Sequence, residues 1–135
     1  MHEIAVGDSA HLSKRITARD IEAFAELSLD RNPIHLDEAY AATTPFGKRI
    51  AHGYYVSSFI SAVIGGQLPG PGSIYLTQEL AFKAPVFIDD VVTATVEVVE
   101  IPKPGRFLLS TRCTNQHGDL VIDGQALIKW RAASS

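Results

Sequence analysis

The chain has 135 residues, 46% of them hydrophobic and 20% charged, with 12 Lys plus Arg against 15 Asp plus Glu and a net charge of −3. These values fit one folded globular domain over residues 1–135. They exclude disorder and give no basic excess of the kind a nucleic-acid binder carries. Cys113 is the lone cysteine, so no internal disulfide can form, and a reducing, cytoplasmic setting is expected.

The opening Met1-His2-Glu3-Ile4 lacks the basic-then-apolar pattern of a signal peptide. Ala10 to Ile16 reads as a first strand. Thr17 then suits a helix N-cap, with Asp20 in place of the usual Glu of a capping box. Ile21, Phe24, Ala25 and Ser28 continue at helical spacing, which predicts a helix over 18–28. Pro33 disfavours the α-conformation at Asn32, so that helix ends before it. Asp37 is placed to cap a short helix through Tyr40 and Ala42, and Thr44-Pro45-Phe46-Gly47 reads as a turn.

The clearest helix follows Gly53. Val56, Phe59, Ile60, Val63 and Ile64 recur at i, i+3, i+4, i+7 and i+8, while Ser57, Ser58, Ser61 and Ala62 fill the other face. An apolar stripe with small residues elsewhere predicts burial on most sides. The stretch from Tyr54 to Ile64 is too short, and too broken by serines, to span a bilayer. Gly65-Gly66 ends the helix and Pro69-Gly70-Pro71-Gly72 forms a loop.

From about Ser73 to Arg131 the pattern changes to period two. Val92, Ala94, Val96 and Val98 alternate with Thr93, Thr95 and Glu97; Leu120, Ile122, Gly124, Ala126, Ile128 and Trp130 alternate with more polar neighbours. Trp130 is expected to face the core. Lys103-Pro104-Gly105 and His117-Gly118-Asp119 are the hairpin connections. An antiparallel sheet curved around one buried helix is predicted, an α+β arrangement. Such a sheet leaves edge strands open, and pairing two copies across a two-fold axis would cover one of them.

The segment Asp30-Arg31-Asn32-Pro33-Ile34-His35 brings a carboxylate, an amide and an imidazole into six residues. If the segment turns, Asp30 and His35 can share one water, one taking its proton while the other delivers a proton to a neighbouring carbon. Negative charge gathering on a substrate carbonyl oxygen would need a donor. A backbone N–H at a helix start suits that task, and Gly53, with no side chain, permits close approach. The same residues also suit a plain turn, with His35 a satisfied histidine, and taken alone they leave both readings open.

His52, beside Gly53, could be a third catalytic group but is expected rather to cap or pack at the helix start. His2, His11 and His117 have no partners at metal-ligand spacing, so no metal is predicted. No glycine-rich phosphate motif is present. Val63 and Ile64, near the far end of the helix, could limit the length of a bound apolar chain. Arg31, Lys83, Lys103 and Arg106 are available for phosphate contacts, but nothing in the sequence ranks them.

Asp30 to His35, followed by Asp37 and Ala39, resembles the signature of the MaoC-like (R)-specific enoyl-CoA hydratases. Three further segments resemble that family in the same order: Ile50-Ala51-His52-Gly53, Pro69 to Tyr75, and Phe82-Lys83-Ala84-Pro85-Val86 with Asp90. The nearest likeness is to the short hydratases of polyhydroxyalkanoate synthesis. The resemblance implies a hotdog fold, a homodimer and no cofactor. It implies water addition to a trans-2-enoyl-CoA thioester, giving the (R)-3-hydroxyacyl-CoA. By position it implies Asp30 and His35 as the catalytic pair, the Gly53 N–H as carbonyl donor, Ser61 as a polar contact near the site and Asn32 as a residue that holds the catalytic segment in shape, with Asn32, Ser61 and Ile64 on the substrate side. Leu29 is a departure, since many members carry Gly there. An acyl-carrier-protein dehydratase, a hotdog thioesterase and a non-catalytic acyl-CoA-binding subunit remain alternatives.

Overall fold

The structure, a computed structural model, describes residues 3–132. His2 therefore lies outside the described residues. The elements run in the order β1 (Ser9–Arg15), α1 (Ala18–Ser28), α2 (Pro33–Leu36), α3 (Glu38–Ala42), α4 (Gly53–Gly66), β2 (Ile74–Phe82), β3 (Val91–Lys103), β4 (Arg106–Thr114) and β5 (Leu120–Lys129).

The five strands form one antiparallel sheet in the order β1-β3-β4-β5-β2. The period-two pattern becomes a buried inner face: Val92, Ala94, Val96 and Val98 from β3, Phe107, Leu109, Thr111 and Cys113 from β4, and Ile122, Ala126 and Ile128 from β5. Helix α4 lies against β3, β4 and β1, with its stripe of Val56, Phe59, Ile60, Val63 and Ile64 turned into this face. Fully burying each such aliphatic side chain contributes about 1.5–3 kcal/mol, so this single layer of contacts carries the fold.

The chain ends each helix where its residues dictate. Thr17 Oγ1 accepts the Asp20 N–H and starts α1. Leu29 closes α1 in the left-handed region at φ 68°, its N–H bonded to the Ala25 oxygen. Asp37 accepts the Tyr40 N–H and starts α3. The turn at Thr44–Gly47 closes with the Gly47 N–H on the Thr44 oxygen.

The first helix ends before Pro33, as expected, and Pro33 also begins the one-turn α2, because its missing N–H is one of the donors a first turn leaves free anyway. Two expectations need correction. Helix α4 is buried on one side only; Ser58, Ser61 and Ala62 are exposed, since the sheet covers a single face. Trp130 follows the end of β5 and sits partly buried at the rim, edge-on to Phe107 with its Nε1–H donated to the Pro71 oxygen.

Candidate active site

The loop after α1 is built by its own side chains. Ser28 Oγ accepts the Asp30 N–H, Asp30 Oδ1 accepts the Asn32 N–H, and Asn32 Oδ1 accepts the Ile34 N–H. The last of these caps α2 and puts His35 in its final turn, on the buried side. Asn32 thus acts on the backbone here, shaping the segment that carries the other two residues.

The short segment before α4 runs alongside. The Ile50 N–H reaches the Ile34 oxygen, and the Ala51 N–H donates to the Val86 oxygen at 2.7 Å. His35 Nδ1 lies 2.8 Å from the Ile50 oxygen. A carbonyl only accepts, so Nδ1 carries the proton and Nε2 is bare. Burial pushes the His35 imidazole below its ordinary value of 6.5; the Ile50 hydrogen bond opposes this, His52 adds to it and the Asp30 charge opposes it. His35 is thereby held as a neutral base.

Asp30, His35 and Gly53 line one cavity of about 450 Å³, whose other walls include Phe46, Val56, Phe82 and Ile122. Gly53 is the first residue of α4, where a helix presents free N–H groups and the positive end of its dipole. The Phe82 ring covers it: a Cβ at Gly53 would stand 2.5 Å from Phe82 Cε1. The cavity therefore combines an apolar wall, a carboxylate, a bare imidazole nitrogen and a helix N-terminus. This arrangement can activate one water beside an apolar substrate and bind oxygen charge as it develops.

Ser61 and Ile64 are not brought to that cavity. Ser61 lines a neighbouring one with Ser57, Ser58, Tyr75 and Gln78, and Tyr54 and Phe82 line both. Ile64 is core. Lys83 lines the first cavity, whereas Lys103 lines a different one beside Trp130, and Arg31 pairs with Glu26 at 3.1 Å.

One residue of the site went unread in the sequence, and a second was read no further than capping or packing at the helix start. Arg49 is buried, and its Nε–H donates to the His35 oxygen at 2.6 Å. It stands just before the Ile50–Gly53 segment but has no place in that motif or in any periodic pattern. His52 occupies the N-cap position of α4 but makes no side-chain cap bond. It packs instead, stacked on His35, and Nε2 lies 2.9 Å from the Asp30 main-chain oxygen. Asp30, His35 and His52 each offer one ligand-type atom within 4.8 Å of the others. Nδ1 of His35 and Nε2 of His52 are already committed to carbonyls.

A MaoC like domain model matches residues 5–117. The chain belongs to this family. Among the relatives of this MaoC-like chain is a 3-hydroxybutyryl-CoA dehydratase from Methylorubrum extorquens. It is 52% identical over 129 residues, which cover 94% of this chain and 81% of that one. The (R)-specific enoyl-CoA hydratase of Aeromonas caviae is 50% identical over 127 residues, covering 93% and 95%. The solved structure of the A. caviae (R)-hydratase involved in PHA biosynthesis superposes with a TM-score of 0.93 at 48% identity, over 97% of this chain and 100% of that one. The expected hotdog architecture is thus the one this α+β chain has.

Proposed function

We propose that this chain is an (R)-specific enoyl-CoA hydratase, a hydro-lyase that adds water reversibly across the double bond of a trans-2-enoyl-CoA. The observation that carries the reading is the single apolar cavity holding Asp30, His35 and the start of α4 at Gly53. The names of relatives at about half identity support it. No cofactor enters the scheme.

Asp30 and the bare Nε2 of His35 hold one water between them. A proton leaves the water to the pair as its oxygen bonds to the β-carbon. The electrons of the double bond move to the α-carbon and the thioester oxygen, where the Gly53 N–H donates to the developing charge. A proton from the pair then goes to the α-carbon. Water has supplied both the hydroxyl and, through the pair, the proton, so the pair ends as it began; its titration belongs to both groups together.

An acyl chain extending past Tyr54 and Phe82 enters the second cavity and meets Ser61. That cavity opens onto the exposed small-residue face of α4 and onto β2, an edge strand with Ile74, Tyr75, Leu76 and Phe82 exposed. A second copy paired edge to edge along β2 would cover both, so the working form is a homodimer. With its one thiol buried and no internal disulfide possible, the chain suits the cytoplasm. Among the described residues no helix is long and apolar enough to cross a membrane.

The test follows loss of the enoyl chromophore of crotonyl-CoA, with the product coupled to dehydrogenases specific for the (R)- or the (S)-alcohol. The expected result is an (R)-coupled signal that Asp30→Asn and His35→Ala each abolish. Wild-type turnover in either variant overturns the assignment, and release of free thiol would mark a thioesterase instead. Light scattering at micromolar concentration should return twice the chain mass.

A further inference from the structure

His52 touches every part of the proposed machinery yet is assigned no role in it. Its side chain is 1% exposed. One face of the ring stacks on His35, with centroids 3.9 Å apart and planes 30° apart, and Phe24 of α1 lies 4.8 Å away at 58°. Nε2 lies 2.9 Å from the main-chain oxygen of Asp30, 22 residues earlier in the chain. Because that oxygen only accepts, Nε2 must carry the proton. Its own backbone leads directly into Gly53, the first residue of α4.

Two observations separate this from ordinary packing. First, the residue stands at the N-cap position, but its side chain does not cap the helix. Second, with the proton on Nε2, Nδ1 is a bare acceptor, and it is buried with no hydrogen-bond partner among the described residues. Filling the core alone would be served better by an apolar ring that leaves no polar atom stranded. The polar ring is explained by what its other nitrogen does: it ties the backbone of the catalytic carboxylate to the start of α4, while its face fixes the plane of the imidazole beside it.

We propose that His52 is a positioning residue that sets the geometry of the Asp30–His35 pair, through a hydrogen bond to the Asp30 carbonyl and stacking on the His35 ring. It touches neither water nor substrate. The inference rests on the hydratase reading above and names a further part of the same site. Reactive geometry is steep in distance, and a displacement of about 1 Å can cost on the order of 100-fold in rate. Binding of the CoA thioester along the cavity depends far less on it.

Two variants divide the functions of the ring. His52→Phe keeps the aromatic surface against Phe24 and His35 but loses the donor. His52→Gln supplies an amide N–H near the position of Nε2. With crotonyl-CoA as the probe, the expected outcome is a fall in kcat of roughly 10–100-fold for His52→Phe with KM within about twofold. His52→Gln should recover kcat to within about fivefold of the wild type. A folded His52→Phe protein with wild-type kcat overturns the proposal, as does a folded His52→Gln protein as impaired as His52→Phe. Should either variant fail to fold, the wild-type protein decides. Nitrogen-15 histidine spectra at about pH 8, where a neutral imidazole shows its tautomer, should place the His52 proton on Nε2; a proton on Nδ1 removes the donor and overturns the proposal. The hydratase reading fails separately, as a wild-type protein without (R)-coupled turnover, and the tautomer measurement stands in that case too.

Discussion

His35 Nδ1 sits 2.8 Å from the Ile50 oxygen, and this one contact decides which face of the imidazole can act as a base. Burial, the largest influence, holds the ring below its ordinary value of 6.5. The folded state thus favours the neutral ring, whereas the unfolded chain takes up a proton more readily. By linkage, the stability contributed by this group is complete above about pH 6.5 and is lost as pH falls from there through the lower folded value. Melting temperature should therefore decline below pH 6.5, and His35→Gln should flatten that part of the curve. The acid limb of kcat/KM should also lie below 6.5, because the base survives until the depressed value is reached. An acid limb above 6.5 would contradict the buried neutral imidazole.

Gly53 and Phe82 meet without room for a methyl group. The Cβ of an alanine would stand 2.5 Å from Phe82 Cε1 and 2.7 Å from Cδ1. Phe82 is 52% exposed, so its ring can swing aside, and the backbone of Gly53 is already helical. Gly53→Ala should therefore cost less than about 1 kcal/mol of stability. Activity should fall about 100-fold, because the new methyl and the displaced ring crowd the approach to the N–H that receives the thioester oxygen. Thermal melting beside steady-state kinetics on crotonyl-CoA separates the two effects. Unchanged kcat/KM would remove the Gly53 N–H from the mechanism.

Arg49 supports the pair from behind. Its Nε–H holds the His35 oxygen, while its terminal nitrogens face Glu22 at 3.9 Å and Glu38 at 3.7 Å. Those glutamates are exposed, so their charges add little, and the buried hydrogen bond is the larger contribution. Lysine keeps the charge but has no Nε–H fork to serve a carbonyl and two carboxylates at once. Arg49→Lys should lose about 1–3 kcal/mol in urea denaturation and lower kcat with α2 less firmly held. A variant as stable as the wild type would show that the carbonyl finds another donor.

Much of the fold was legible because burial follows backbone period. The alternation in β3 and β5 and the five-residue stripe of α4 are direct prints of which side faces the core. The caps at Thr17 and Asp37 were legible for the same local reason, since each bonds an N–H three residues on. Arg49 escaped, and His52 was read no further than packing at the helix start, because their partners are main-chain oxygens 14 and 22 residues away, and a carbonyl is the same at every residue. The serine face of α4 was misjudged for a related reason: one chain states that a face is made of small residues, not what covers it. Ser61 was expected as a polar contact near the site; it lines the adjoining cavity, beyond Tyr54 and Phe82, and helical spacing fixes its face but not the path of the loop that carries Asp30.

Leu29 is where the sequence departs from the glycine of many family members, and the structure gives the cost a form. It sits at φ 68° and ψ 10°, the left-handed conformation that ends α1, with its N–H on the Ala25 oxygen at 2.9 Å. A residue with a Cβ loses about 1–2 kcal/mol there. The side chain is 71% exposed, so little packing offsets that loss. Glycine removes the strain but gives back about 0.5–1 kcal/mol through the greater freedom of the unfolded chain. Leu29→Gly should thus stabilise the protein by about 0.5–1 kcal/mol, read as a higher denaturation midpoint at unchanged slope. Leu29 does not line the cavity, and kcat on crotonyl-CoA should stay within about twofold, since the N–H to Ala25 that aims the chain at Asp30 is a backbone bond. A lower midpoint would mean that the exposed leucine makes a stabilising contact, with a second copy of the chain as the first place to look.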